Sequence, residues 1–157
     1  MIRPATPADA AAIAAIWNHY IRETTVTFLP DEKTDADIRA TLAADRGLFV
    51  HEGPDGVDGF ARYFQFRGGA GYRHTCEHTV LLAPGTGGQG AGRALMAAVE
   101  DHARAGGVHA LFAGVSAENP GAVAFHARIG FAEVARLPEV GRKFGRWIDL
   151  VLMQKFL

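Results

Sequence analysis

The fold is decided by the stretch Val80-Leu81-Leu82-Ala83-Pro84-Gly85-Thr86-Gly87-Gly88-Gln89-Gly90-Ala91-Gly92, in which the end of an apolar strand runs into five glycines within eight residues. The next residues, Arg93-Ala94-Leu95-Met96, open a helical pattern, so the glycines lie where a strand passes into a helix N-terminus. Because glycine has no Cβ atom, the backbone of this loop can approach a ligand closely. The unpaired amides of the first helical turn and the positive end of the helix dipole point to the same place. The junction therefore predicts a phosphate-binding site for an anionic cofactor.

Two helices and three strands are predicted before this loop. Thr6-Pro7-Ala8-Asp9 combines an N-cap hydroxyl, a proline and an acid ahead of apolar residues at helical spacing, and predicts the start of the first helix. A second start signal, Thr34-Asp35-Ala36-Asp37, leads into a helix that should end near Gly47. The three strands are predicted at residues 48–52, 59–66 and 75–83, with glycine-rich turns between them.

The chain after the loop alternates between helix and strand. The predicted buried stripe of the central helix is Leu95, Val99, His102 and Ala103. That helix should end at Gly106-Gly107, and residues 110–115 are apolar throughout, as expected of a strand covered on both faces. Asn119-Pro120 caps a short helix that runs to Ile129. Strands at 131–137 and 147–154 close the chain, which gives a mixed α/β order in which the central helix crosses between strands.

Composition limits the class of protein. The 157 residues fit one domain, 1–157, and a composition of 48% apolar and 21% charged residues is typical of a globular protein. A formal net charge of −1 provides no general field for nucleic acid or an anionic membrane, so any basic site has to be local. The one cysteine, Cys76, cannot form an internal disulfide, and the N-terminus lacks the apolar run of a signal peptide. We therefore expect a cytoplasmic protein.

Two common phosphate loops do not fit. Gly85-x-Gly87-x-x-Gly90 matches the dinucleotide fingerprint, but the acidic residue expected about 20 positions later is missing from His109 to Val115. The Gly-Lys-Ser/Thr of a Walker loop is also missing. The remaining frame is Gly87 to Gly92, which resembles the pyrophosphate loop of the GNAT superfamily of N-acetyltransferases, Arg/Gln-x-x-Gly-x-Gly/Ala. Gly87 departs from that pattern, because the family usually has arginine or glutamine at the first position.

The resemblance extends over nearly the whole chain and is more specific than the loop. The segments that carry it are 18–20, 24–28, 75–80, 119–126, Gly130-Phe131 and 140–150. They are similar to the phosphinothricin and methionine sulfoximine N-acetyltransferase branch. The resemblance implies a mixed, mostly antiparallel central sheet of six to seven strands flanked by about four helices. It also implies acetyl-CoA as co-substrate, a small amine as acceptor and a homodimer.

Within that resemblance, two residues are the candidates for proton transfer. Glu77 lies at the position of the general base that takes the ammonium proton, and the competing interpretation is an exposed strand carboxylate. His126 lies where the branch has a histidine that protonates the leaving thiolate, and the competing interpretation is a histidine packed on the apolar side of a short helix. Strand amides at Val80 to Leu82, freed by a local bulge, should stabilise the oxyanion. The implied cofactor-binding residues are Val80, Leu81, Leu82, Gly87, Gly88, Gln89, Gly90, Ala91, Gly92, Arg93 and Asn119.

An amino-acid-like acceptor needs a cation for its carboxylate and an apolar wall. Arg67 and Arg73 are the arginines nearest Glu77 in sequence and are the candidate clamps, with Phe28 and Trp147 as walls. The branch usually has tyrosine where this chain has Leu81, which alters either the acceptor pocket or the proton path.

A metal site is not expected, despite seven histidines. His74 and His78 would lie about 13 Å apart on one strand, too far for one ion. Neighbouring side chains on a strand point to opposite faces, so Cys76 should be a core residue and not a nucleophile beside Glu77. Two other functions stay open: acetylation of a protein N-terminus or an antibiotic amine, and a non-catalytic acyl-CoA-binding module.

Overall fold

The computed structural model describes residues 1–157, which form a seven-stranded sheet with four helices. The helices are α1 (Ala10–Glu23), α2 (Asp35–Ala44), α3 (Ala91–Ala105) and α4 (Pro120–Arg128). The strands are β1 (Ile2–Pro4), β2 (Gly47–Gly53), β3 (Gly56–Gln65), β4 (Thr75–Leu82), β5 (Ala110–Ser116), β6 (Ala132–Lys143) and β7 (Arg146–Phe156). Their order in the sheet is β1-β2-β3-β4-β5-β7-β6, and only β4 and β5 are parallel. The predicted fold class is confirmed.

The sheet separates two apolar cores. Neighbouring residues of a strand alternate between them, so that Phe60 packs with α1 and α2 while Ala61 packs with α3. The smaller core contains Ile13, Trp17 and Ile38 from the two N-terminal helices. The larger core is built around α3 and includes Cys76, which is fully buried as predicted.

The structure corrects four details of the sequence-based description. Strand β1 was not predicted, because three residues carry too little pattern; it pairs with the edge of β2. The turn at Pro7–Asp9 is a 3₁₀ helix, and α1 begins only at Ala10. His102 is exposed and not part of the buried stripe of α3, where Glu100 is buried instead. Strand β6 continues to Lys143, past an irregularity between Leu137 and Gly141.

A further correction concerns β4, whose pairing with β5 ends early. The two strands pair only from Thr75 with Ala110 to His78 with Ala113, although both continue further beside their other neighbours. The predicted bulge is not present, because the register between β3 and β4 is unbroken as far as Leu82. The free amides arise because β4 and β5 diverge, not because β4 has an extra residue.

The direction of the free amides follows from the pairing. Ala83 donates to Asp58 O at 2.7 Å on the β3 side, whereas His74 O accepts bonds from the β5 side. Because backbone groups alternate along a strand, the amides of Val80 and Leu82 face the opening between β4 and β5. On the same side, the Tyr20 hydroxyl donates to Leu82 O at 2.6 Å.

Candidate active site

A cavity of about 600 Å³ lies in the opening between β4 and β5. It reaches both faces of the sheet. On the α1 and α2 face its lining includes Trp17, Phe28, Arg62 and Glu77; on the α3 and α4 face it includes His78 and His126. The candidate acid, base and apolar wall are therefore in one cavity, at the place where the sheet is split.

Glu77 projects from β4 on the α1 and α2 face. A Cβ atom built on Gly114 of β5 would lie 2.9 Å from Glu77 Oε1, so the carboxylate extends across β5 where only a glycine leaves room for it. Burial raises the pKa of Glu77, and the positive charge of Arg62 opposes that rise. A raised pKa brings the carboxylate closer to the proton affinity that a general base needs near neutral pH.

His126 forms a buried pair with His78 on the opposite face. The two Nε2 atoms are 2.9 Å apart, and His126 Nδ1 is 2.8 Å from Ala122 O. Because a carbonyl only accepts, Nδ1 of His126 carries the proton and its Nε2 accepts from His78 Nε2–H. Nδ1 of His78 is then an unprotonated atom, and it is buried without a partner.

Both imidazoles are held in the neutral form. Burial lowers the pKa of His78 to about 3, with a further contribution from the nearby His126, and burial also lowers the pKa of His126. His126 is 5% exposed and lines the cavity, so it is both a packed side chain and a wall of the candidate site.

The glycine loop fits a pyrophosphate group. Gly88 and Gly90 have positive φ angles of 86° and 85°, and no atom lies within 4 Å of a Cβ built on either residue. Gly90 is the N-cap of α3 and supplies no side chain, so the amides of the first turn are open to a ligand. Gly92 lines the cavity, which connects the loop to the split in the sheet.

The other predicted cofactor residues have distinct positions. Leu81 is buried against the α1 and α2 core, whereas Val80 and Leu82 pack against the α3 core. Asn119 caps α4 by accepting from the Ala122 amide at 3.1 Å, and it also lines the cavity. The remaining loop positions predicted for the cofactor are Gly87, Gln89, Ala91 and Arg93. Gly87, Gln89 and Arg93 are exposed, and Ala91 is buried at the start of α3.

Three of the four predicted acceptor residues lie outside the cavity. Arg67 lies over the ring of Tyr72, and Arg73 bonds to His74 at 3.1 Å. Trp147 is 57% exposed on β7, with Arg142 over its ring. Only Phe28 lines the cavity. The turn at residues 66–74 carries both arginines past the end of β3.

Sequence reasoning missed Arg62, which lines the cavity beside Glu77. It lies on β3 opposite Thr79, on the same face of the sheet as Glu77. An arginine within an otherwise apolar strand was the available signal. Only the pairing register between β3 and β4 shows that Arg62 lies beside Glu77 on the sheet.

Lys143 fixes the loop that carries Phe28. Its ammonium group is buried and donates to Thr24 O at 2.6 Å and to Thr27 O at 2.7 Å, with Tyr20 O at 3.4 Å. The carbonyl of Tyr20 belongs to the C-terminal turn of α1, where the helix dipole favours a cation. Lys143 therefore joins β6, α1 and a loop that lines the cavity.

The structure contains neither a cluster of metal-ligating side chains nor a membrane-spanning helix. No group of three or more His, Cys, Asp or Glu side chains is arranged to hold a metal ion. None of the four helices has the length and apolar character needed to span a membrane. Cys76 is a free thiol whose pKa is raised by burial, which does not favour the reactive thiolate.

The sequence that forms this fold and cavity matches a known protein family. Residues 13–131 match the model of the Acetyltransferase (GNAT) family. The chain belongs to this family and is an N-acetyltransferase.

Curated relatives align with this chain over almost their whole length. The chain is 40% identical to the L-amino acid N-acyltransferase MnaT of Escherichia coli, with 98% of this chain and 91% of that protein covered. It is 38% identical to an L-methionine sulfoximine/L-methionine sulfone acetyltransferase of Salmonella typhimurium, with 98% and 92% covered. It is 33% identical to phosphinothricin N-acetyltransferase of Streptomyces coelicolor, with 98% and 94% covered. The predicted branch of the family is confirmed.

Solved structures share the fold at high similarity. A ribosomal-protein-alanine N-acetyltransferase from Brucella melitensis has a TM-score of 0.95 and 38% identity, with 100% of this chain and 99% of that chain covered. An acetyltransferase from Salmonella typhimurium, solved with its cofactor acetyl-CoA, has a TM-score of 0.95 and 35% identity, with 100% and 93% covered.

The histidine pair predicts a loss of stability as the pH falls from 7 to 5. The folded-state pKa of His78, about 3, lies below its unfolded value of 6.5, so in this range only the unfolded chain takes up the proton. The free energy of unfolding should fall by about 2 kcal/mol from His78 alone. His78→Gln, which keeps a donor toward His126, should lose about that much less in urea titrations at the two pH values. His109→Gln, at an exposed histidine, is the matched control, and an unchanged slope in His78→Gln would contradict the neutral pair.

Gly114→Ala should reduce turnover without unfolding the protein. The new methyl group would meet Glu77 Oε1 at 2.9 Å, and the carboxylate is the flexible partner that has to move. We expect kcat to fall by roughly 10- to 100-fold, since displacing a catalytic group by about 1 Å has effects of this size. Gly68→Ala, where no atom lies within 4 Å of the new Cβ, is the control. Equal kcat values in the two variants would show that the position of Glu77 is not constrained by β5.

Lys143→Met should loosen the loop that begins at Thr24 and lines the cavity. The substitution keeps much of the side-chain volume but leaves the carbonyls of Thr24 and Thr27 without a donor, which costs about 1–3 kcal/mol. We expect a lower unfolding midpoint in urea and a higher KM for the acceptor, with the affinity for coenzyme A unchanged in calorimetry. Lys143→Arg should recover part of both effects. A normal acceptor KM in Lys143→Met would separate this lysine from the site.

Proposed function

We propose that the protein transfers the acetyl group of acetyl-CoA to the amine of a small amino-acid-like molecule, directly and without a covalent enzyme intermediate. The observation that carries this proposal is the position of Glu77. Its half-buried carboxylate, with a raised pKa, lies at the split between β4 and β5, and the open glycine loop leads into the same cavity.

The donor side would use groups that the split leaves free. The first-turn amides of α3 and the loop at Gly88 and Gly90 would hold the pyrophosphate. Acetyl-CoA supplies the acetyl group as a reactive thioester. The amides of Val80 and Leu82 face the opening and can donate to a carbonyl oxygen as it gains negative charge.

Glu77 would act on the acceptor nitrogen. It takes one proton from the ammonium group, and the freed amine forms the new bond to the acetyl carbon as the bond to sulfur breaks. The nitrogen then loses a second proton, and the sulfur gains one. The overall reaction therefore releases the proton held by Glu77.

His126 would pass the second proton toward the sulfur as a neutral group, after its Nε2 atom leaves the hydrogen bond with His78. Its pKa is lowered by burial, so a resting imidazolium is disfavoured at pH 7. The relay interpretation is that the imidazole receives a proton and gives one up during the same turnover. The pH profile distinguishes the two roles: a relay leaves kcat level above pH 7, whereas a charged acid makes kcat fall as the pH rises through its pKa.

The names of the relatives support an amino-acid-like acceptor. The three curated relatives are named for L-amino acids, for methionine sulfoximine or sulfone, and for phosphinothricin. The acceptor face of the cavity has the apolar walls Phe28, Phe64 and Leu150, which suit the side chain of such a molecule.

Acetylation of a protein N-terminus is the second candidate. The Brucella structure carries a name of that kind at 38% identity. The loop that Lys143 holds contributes Thr27 and Phe28 to the lining of the cavity, whose volume of about 600 Å³ accommodates a free amino acid.

Assembly and location complete the proposal. We propose a homodimer, because Val140, Phe144 and Trp147 are large apolar side chains exposed on β6, on β7 and on the turn between them. We place the enzyme in the cytoplasm on its composition and its single free thiol.

The test of this function is thiol release from acetyl-CoA with a panel of acceptors. The panel contains methionine sulfone, methionine sulfoximine, phosphinothricin, common amino acids and short peptides. Glu77→Gln should lower kcat by roughly 10²- to 10⁴-fold, with partial recovery at high pH, where more of the amine is already neutral. Its affinity for coenzyme A should be unchanged in calorimetry.

Three results would overturn parts of this proposal. Turnover of peptides alone would assign the chain to N-terminal acetylation. Binding of acetyl-CoA without turnover of any amine would favour a non-catalytic module. Full activity in Glu77→Gln would remove the assigned base.

A further inference from the structure

We propose that Gly141 of β6 is a specificity-determining residue, which limits the length of the acceptor side chain through the position of the Phe28 ring. This inference rests on the proposed function, since it concerns which amino-acid-like molecules the cavity accepts. Gly141 is buried and does not line the cavity itself. Its effect on the acceptor is transmitted by the aromatic side chain that packs against it.

The Phe28 ring fills the space that a side chain at position 141 would need. A Cβ atom built on Gly141 would lie 2.9 Å from Phe28 Cγ and closer still to two other atoms of the ring. Carbon atoms in favourable contact are about 3.5–4 Å apart, so any side chain at this position would displace the ring. The φ angle of Gly141 lies outside the left-handed region. Glycine at this position is therefore required for space and not for backbone conformation.

The same ring forms a wall of the cavity. Phe28 is half-buried and lines the cavity on the face of the sheet that carries Glu77. One side of the ring therefore faces Gly141, and another side faces the space proposed for the acceptor. Because protein interiors are close-packed, a methyl group added on the β6 side would be accommodated by moving the ring toward that space.

The loop that carries Phe28 is tied to the strand that carries Gly141. Lys143 lies two residues after Gly141, on the same face of β6. Its ammonium group donates to Thr24 O at 2.6 Å and to Thr27 O at 2.7 Å. These bonds oppose a movement of the whole loop away from β6. A side chain at position 141 would therefore shift mainly the ring.

An irregularity in β6 brings Gly141 to this position. Residues 138–140 of β6 lie opposite Asp149 alone, before Gly141 pairs with Ile148 of β7. The Asp149 carboxylate accepts from the Glu139 amide at 2.9 Å, which stabilises the additional residues. Bulges bend a strand and are over-represented next to active sites. The bend in β6 thus places a residue without a side chain under the wall of the cavity.

The test uses acceptors whose side chains differ by one methylene group. S-Methylcysteine sulfone, methionine sulfone and ethionine sulfone form such a series, and they are assayed by thiol release with wild type and Gly141→Ala. In Gly141→Ala, kcat/KM for the longer acceptor of each pair should fall about 10-fold relative to the shorter one, mainly through KM. Pockets discriminate one methylene group by about 10- to 200-fold. The affinity for coenzyme A should be unchanged in calorimetry.

The double variant Phe28→Ala with Gly141→Ala tests whether the ring transmits the effect. Without the ring, the new methyl group at position 141 has no aromatic side chain to displace. Adding Gly141→Ala to Phe28→Ala should therefore change the acceptor preference by less than about threefold. A tenfold shift in both backgrounds would exclude Phe28 as the link. Gly68→Ala, where no atom lies within 4 Å of the new Cβ, is the matched control and should leave the preference unchanged.

Urea unfolding of each variant separates a change of specificity from a loss of structure. If Gly141→Ala does not fold, the double variant should recover the unfolding midpoint of Phe28→Ala, and Phe28→Ala should gain ethionine sulfone relative to methionine sulfone. Failure of either result would overturn the proposal, as would an equal loss for all acceptors in folded Gly141→Ala. No turnover of any amine by wild type would instead be a failure of the proposed function.

Discussion

The separation of β4 from β5 is the constraint on which the rest of the structure depends. Every other strand pair continues to the end of at least one of its strands, but these two parallel strands stop pairing after His78 and Ala113. Unpaired backbone groups inside a sheet are costly unless something else bonds to them. Here the Tyr20 hydroxyl satisfies Leu82 O, and the remaining amides face a cavity in which a ligand can bond to them. The split is thus a structural cost that creates the binding site.

The split also divides the chemistry between the two faces of the sheet. The α1 and α2 face carries the charged groups, Glu77 and Arg62, and the α3 and α4 face carries the neutral pair His78 and His126. Burial acts on both faces in the same sense, since it raises the pKa of the carboxyl group and lowers the pKa of both imidazoles. Few ionised groups remain near the opening. Burial also strengthens the interaction of a charged group with a bound molecule, because the effective dielectric constant falls away from bulk water.

Local sequence patterns predicted those helices, strands and turns whose conformation depends mainly on neighbouring residues in the chain. Five closely spaced glycines before a helical pattern were sufficient to locate the α3 N-terminus, because only glycine adopts the positive φ angles found at Gly88 and Gly90 without strain. The helices and most strands followed from periodicity and caps. The three residues of β1 did not, since their strand structure depends on the edge of β2.

Candidate site residues were predictable only where the surrounding sequence segment carries a recognisable pattern. The loop was predicted from its own glycines, and Glu77 from the resemblance of its segment to the family. The position of Arg62 in the cavity was not predicted, because a one-dimensional distance cannot show that β3 runs back beside β4. The divergence of the strands was expected, wrongly, as a bulge, since both leave free amides and only the three-dimensional register distinguishes them.

Leu81 departs from the family pattern, and it lies on the α1 and α2 face of the sheet, the face that carries Glu77. The resemblance implies a tyrosine at this position, and here the side chain is an apolar residue buried against Phe60 in the α1 and α2 core. It cannot donate to an acceptor molecule or carry a proton. The polar contacts of the acceptor then have to come from other residues that line the cavity. The raised pKa of Glu77 has a separate cause, which is the burial of its own carboxyl group. The departure at Leu81 therefore bears on acceptor recognition.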